Sequence, residues 1–164
     1  MSTLKITFIQ TGGTIDKDYP KTRNGWAFEI GDPAILRLLE KLNPSFEYEI
    51  ITAFRKDSLE IDLADRNQLA ALIQNHASSI FIITHGTDTL IETGQFLEKK
   101  VNEKLVILTG ALRPERFTNS DAALNIGTAI GAANSLKKGL YIAMNGIVQS
   151  VDLARRDEKT DRFY

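Results

Sequence analysis

FIITHGTDTL, residues 81–90, carries an apolar run straight into threonine, histidine, glycine and aspartate. ITFIQTGGTI, residues 6–15, repeats the design near the N-terminus. Short, nearly continuous apolar runs are what a strand looks like when helices cover both faces of its sheet. Each run ends on small hydroxyl residues and glycine. Two strands of this kind deliver polar groups to one edge of a parallel sheet, and ligands of open α/β sheets bind at the carboxyl ends of the strands.

Outward from these two stretches, strands alternate with helices. Residues 4–10 read as a first strand, and the paired glycines of residues 11–14 as a tight turn. Residues 16–28, with Tyr19, Pro20, Gly25 and Trp26, read as a short hairpin or a flap. Asp32-Pro33 starts a helix, because aspartate caps free N–H groups and proline fits the first helical position. That helix carries Ile35, Leu38, Leu39 and Leu42 and stops near Asn43-Pro44. Strands are then expected at 48–54, 79–84, 105–109 and 140–144, and helices at 63–76, 89–100 and 120–137. The expectation is an α/β fold, a five-stranded, mostly parallel sheet between two helical layers. Residues 151–164 are charged and read as a surface tail or interface arm on a single domain spanning 1–164.

Composition narrows the chemistry. The 164 residues are 43% hydrophobic and 25% charged, enough for one domain with a buried core. A net charge of -1 argues against a general nucleic-acid binder, which needs excess cations to neutralise phosphates. Without cysteine there is no disulfide and no thiolate chemistry. His76 and His85 are the sole histidines and stand at no recognised ligand spacing, so no metal is expected; nor is any other cofactor. No segment approaches the roughly 20 apolar residues of a membrane span, and the N-terminal apolar run is too short for a signal peptide, so a cytoplasmic protein without membrane partners is the default.

Three junctions follow strand ends: residues 11–14, 84–89 and 109–113. The first lacks the lysine and spacing of a P-loop and the third glycine of a dinucleotide fingerprint, and a plain tight turn is an equal reading. In the second, Asp88 is open to two readings, helix cap or catalytic group; His85 is a hydrogen-bonded core residue or orients the loop. A threonine hydroxyl becomes a nucleophile only where another group accepts its proton. Thr87 beside Asp88 supplies half of such an arrangement.

Thr11-Gly12-Gly13-Thr14-Ile15 together with His85-Gly86-Thr87-Asp88-Thr89-Leu90 resembles the two active-site signatures of the bacterial-type L-asparaginases. Lys56-Asp57-Ser58 resembles that family's serine-bearing substrate loop, and the segment from Thr109 to Pro114, with Asn119, Ser120, Asp121 and Asn125, continues the similarity in order. The resemblance implies a three-layer, flavodoxin-like fold and hydrolysis of asparagine to aspartate and ammonia. It implies Thr14 as nucleophile, Thr87 and Asp88 in a second triad, and Tyr19 assisting Thr14. Asp88 would meet the substrate amino group, Ser58 its carboxylate, and Gly13 and Thr87 the scissile carbonyl and its oxyanion.

Two positions depart from the family pattern. Leu59 stands where a substrate-binding glutamine is common, and leucine cannot replace its hydrogen bonds; Glu60 is the nearest substitute. The second-triad lysine falls on Arg156 in an ungapped comparison, with Lys159 three residues on as the alternative. Arginine stays protonated and is a poor base. The chain is also about half the length of two-domain members and resembles their N-terminal catalytic domain, which in those enzymes is completed across a dimer. The expected partners are a small amino-acid substrate and a second copy of the chain.

Overall fold

The computed structural model describes residues 4–20, 28–101 and 103–164. In chain order the elements are β1 (Lys5–Gly12), β2 (Lys17–Asp18), β3 (Glu29–Ile30), α1 (Ala34–Leu42), β4 (Glu47–Lys56), α2 (Leu63–Asn75), β5 (Ile80–Thr84), α3 (Leu90–Val101), β6 (Leu105–Thr109), α4 (Ala122–Ser135), β7 (Gly139–Met144) and β8 (Ile147–Ser150). The main sheet runs β4-β1-β5-β6-β7-β8, parallel except for the last pair, and β2 pairs β3 in a separate small ladder.

Alternate side chains of the central strands point to opposite layers, which is why those strands read as continuously apolar. In β5, Ile82 packs with β1 residues Ile6 and Phe8 under α1 and α4. Its neighbours Phe81 and Ile83 pack the other way, with Leu69 and Ile73 of α2 and Leu90 and Leu97 of α3. The chain leaves β1 towards β4, then crosses back over β1 to β5. The switch in strand order therefore lies between β1 and β5, where such sheets leave a crevice for ligands. This is the three-layer, flavodoxin-like order expected of the sequence.

Three local expectations are corrected. Among the described residues the main sheet has six strands, because Asn145 and Gly146, with φ of 53° and 78°, turn β7 directly into antiparallel β8. Asn-Gly between apolar residues is a strong hairpin signal, and β8 was within reach of the sequence. Pro33 is the N-cap of α1 and not its first helical residue, and the acceptor at the helix start is Asp16 rather than Asp32: the Ala34 N–H donates to the buried Asp16 carboxylate at 2.7 Å, while Asp32 pairs with Arg55. The third concerns residues 151–164, which fold back instead of trailing. Val151, Ala154 and Phe163 are buried in the α2/α3 layer, and Arg155 and Tyr164 exchange backbone hydrogen bonds. Burying a phenylalanine yields roughly 1.5–3 kcal/mol, which contributes to holding the charged hairpin down. Trp26, part of the expected flap, lies outside the described residues. Among the described residues no helix is long and apolar enough to cross a membrane.

Candidate active site

Four loops meet at the crevice, and glycine makes the approach possible. Gly13 has φ 84° and ψ -175°, a conformation that is essentially glycine's alone. A Cβ on it would lie 2.4 Å from both the Cα and the N of Gly86. The loop after β1 and the loop after β5 thus touch backbone to backbone, one residue before Thr14 in the first and one residue before Thr87 in the second. A Cβ on Gly86 would fall 2.7 Å from Ser58 Cβ, and one on Gly110 would fall 2.3 Å from the His85 carbonyl oxygen and 3.7 Å from Thr87 Cγ2. Ends of β1, β4, β5 and β6 are packed into one cluster.

Hydrogen bonds fix the arrangement. The Gly13 N–H donates to the Lys56 carbonyl at 3.0 Å; Thr89 Oγ1 donates to the Ser58 carbonyl at 2.8 Å; Thr11 Oγ1 donates to the Thr84 carbonyl at 2.8 Å. Lys56 Nζ reaches both Asp65 oxygens at 2.8 Å. Those bonds raise the Lys56 pKa, so its ammonium serves as a brace for the loop and not as a base.

The structure gathers some of the expected residues and leaves others apart. Thr14 and Thr87 are half-buried, Ser58 is buried beside Gly86, and Asp88 is exposed. Asp88 does not cap α3; the Thr93 N–H bonds to the Thr89 carbonyl there, and Asp88 meets Arg156 Nη1 at 2.9 Å. Lys159 is exposed, its backbone N–H closing a turn on Asp157; the cation at Asp88 is Arg156. The Glu60 carboxylate accepts from the Asp57 N–H in a capping box of its own short turn. Leu59 is 74% exposed. Tyr19 is 77% exposed, with its ring edge-on to Phe28 at 5.9 Å. The Gly13 N–H is already donated to Lys56, and the residue packs closely on Gly86. Lys56, Gly86 and Gly110 were missed as site builders, since their roles are contacts between loops far apart in sequence. Among the described residues no three His, Cys, Asp or Glu side chains gather as a metal-binding group.

Two buried titratable groups stand behind these loops. His85 Nδ1 lies 2.7 Å from the Gly86 carbonyl, and burial pushes its pKa down to about 4. Burial pushes the Asp16 carboxyl up to about 6, against the pull of the Ala34 amide. Their effects on stability have opposite signs. As pH falls from about 6.5 towards 4, the unfolded chain protonates its histidine and the native one does not, so stability is lost. As pH falls from about 6 towards 3.8, native Asp16 takes up a proton before the unfolded chain does, so stability is gained. Each contribution is roughly 3 kcal/mol, and within this window they offset one another. Asp16→Asn keeps the acceptor for Ala34 and removes the buried charge. The variant is expected to be more stable than the parent at pH 7.5 by up to about 3 kcal/mol, an advantage that shrinks to nothing near pH 4. Urea unfolding at both pH values checks this; equal midpoints at pH 7.5 would contradict it.

Residues 5–162 match the family model for the N-terminal region of asparaginases. The chain is 35% identical over 154 residues to the "Probable L-asparaginase periplasmic" of Haemophilus influenzae, covering 87% of this chain and 43% of that protein. It is 45% identical over 148 residues to a subunit of the glutamyl-tRNA(Gln) amidotransferase of Methanococcus maripaludis, covering 86% of this chain and 35% of that one. The thermostable L-asparaginase from Thermococcus kodakarensis superposes with a TM-score of 0.83 at 26% identity, over 98% of this chain and 51% of that chain. This chain spans about half the length, or less, of the proteins it matches.

Proposed function

This chain belongs to the asparaginase family through residues 5–162, and from that premise we propose that it is an amidohydrolase that converts asparagine to aspartate and ammonia. The observation that carries the reading is the backbone contact of Gly13 with Gly86, each one residue before a threonine, at the strand-order switch; it supports Thr14 and Thr87 as members of one site. Thr14 Oγ1 attacks the side-chain amide carbon; its proton goes to the departing nitrogen, ammonia leaves, and an acyl-threonine ester remains for water to open. Splitting one hard substitution into two easier ones is the gain of covalent catalysis. Thr87 steadies the oxyanion and the attacking water, Asp88 takes the substrate ammonium, and Ser58 its carboxylate. Tyr19 would assist Thr14 only after moving from its exposed position against Phe28. Both relatives' names, asparaginase and amidotransferase, denote amide chemistry, which supports the class more than the particular amide.

A second reading, a binder of aspartate or asparagine with little turnover, is favoured by exposed Leu59 and by the arginine on Asp88. Ammonia release from asparagine and from glutamine, measured beside aspartate titration of the same sample, separates the two: binding without ammonia supports the second. Hydroxylamine should trap aspartyl hydroxamate during turnover if the ester forms.

The proposal includes a cytoplasmic setting and a homodimer. Tyr19, Phe28 and Phe117 form an exposed aromatic cluster, and aromatic side chains are efficient interface anchors. Light scattering and activity over one dilution series check the dimer; a monomer with full activity would exclude a shared site.

A further inference from the structure

We propose that Arg156 is a positioning residue for Asp88, seated by the folded-back arm, and that it holds Asp88 ready for the amino-acid ligand of the proposed function. The inference rests on the amidohydrolase reading for the identity of that ligand, but not for the geometry. Arg156 lies on a hairpin closed by the bonds between Arg155 and Tyr164 and by the Asp157 N–H to the Arg162 carbonyl. Its guanidinium lies 5.5 Å from the centre of the buried Phe163 ring. Nη1 donates to Asp88 Oδ1 at 2.9 Å and Nη2 to Asp161 Oδ1 at 2.8 Å.

The hairpin is itself tied to the other side of the crevice. The Phe163 N–H donates to Asn145 Oδ1 at 3.0 Å, the Asn145 N–H to Asn125 Oδ1 at 3.2 Å, and Asn125 Nδ2 to the Gly110 carbonyl at 2.9 Å. Gly110 packs on the loop that carries Thr87 and Asp88. One connected network therefore grips that loop from two directions. Arg156 takes a single Asp88 oxygen, which holds the carboxylate while leaving Oδ2 for a ligand. A guanidinium keeps its proton across the working pH range, so Arg156 orients and does not accept a proton from Thr87.

The test uses the full chain with Arg156→Gln, Arg156→Lys and the remote Asn145→Gly. The last keeps the positive φ of the turn and removes the acceptor for Phe163. Hydrogen exchange is followed without ligand at residues 87–90, with amides of β5 and β6 as internal reference. Arg156→Gln is expected to speed exchange at 87–90 by about tenfold or more, as loss of a charge-assisted hydrogen bond would, while the reference amides are unchanged. Arg156→Lys should stay within a few-fold of the parent, and Asn145→Gly should fall between. Aspartate affinity should weaken about tenfold in Arg156→Gln and recover in Arg156→Lys. Unchanged exchange at 87–90, or equal acceleration in β5 and β6, overturns the proposal; so does tighter aspartate binding by Arg156→Gln, which would mean that arginine competes with the ligand. A parent protein that neither releases ammonia nor binds aspartate counts against the amidohydrolase reading alone, and exchange then decides the role of Arg156.

Discussion

Thr14→Ala is expected to reduce ammonia release by about 10⁶-fold, the order seen when the nucleophile of an acyl-transfer unit is removed, while changing stability by less than about 1 kcal/mol. The side chain is half-buried at the start of a short 3-10 turn whose path is set by its neighbours. Gly13 makes the backbone contact with Gly86, Ile15 is buried, and the Asp16 N–H bonds back to the Gly13 carbonyl. Removing a hydroxyl and a methyl leaves those contacts standing. Thr87→Ala should also lower turnover, by a smaller factor, because it disturbs oxyanion placement without removing the attacking atom. Single-turnover assays, with unfolding midpoints on the same preparations, read both numbers. Normal turnover by the Thr14 variant would reject the acyl-threonine mechanism.

Gly13→Ala should be the more damaging change to the folded state, by about 2–6 kcal/mol from backbone strain plus overpacking. Its backbone sits where a side chain is strained whatever the space, and the added methyl would press on the Gly86 backbone at 2.4 Å. No rotamer relieves a clash between two main chains. Gly86→Ala offers a comparison, because the nearest obstacles there are Ser58 Cβ and Oγ at 2.7 and 2.8 Å. In that background Ser58→Gly should recover part of the lost stability, whereas it should do nothing for Gly13→Ala. A double-mutant cycle from urea unfolding measures the difference. Equal midpoints for Gly13→Ala and the parent would show that the two loops do not meet as described.

Much of the fold was legible from local pattern. The runs ending at Thr84 and Thr109 are buried on both faces, and their composition says so without help from the rest of the chain. Ala-rich α4 and the leucine spacing of α1 fall where periodicity places them, within about two residues. Motifs at strand ends pointed to Thr14, Thr87 and Asp88, since glycine and hydroxyl residues after a buried strand carry both geometric and chemical information; Ser58, after the edge strand β4, was reached only through the family resemblance. The Asn145-Gly146 turn carried a readable signal too, although the four residues of β8 are too few to show a period.

What only the tertiary structure decided are the pairings between distant segments. Asp32 holds the sequence position of a helix cap, yet Asp16, eighteen residues before Ala34, makes the bond; a buried amide takes the acceptor nearest in space. Charge alone made residues 151–164 look solvated, but Val151, Ala154 and Phe163 are buried, and that burial, with the backbone bonds between Arg155 and Tyr164, offsets part of the cost of ordering a polar hairpin. That choice in turn brings Arg156, and not Lys159, to Asp88. Local sequence fixes which backbone shapes and side-chain chemistries are present, because propensity and periodicity act over a few residues. Which of them become partners depends on packing, since burial and hydrogen-bond satisfaction are settled only when all the loops compete for the same crevice.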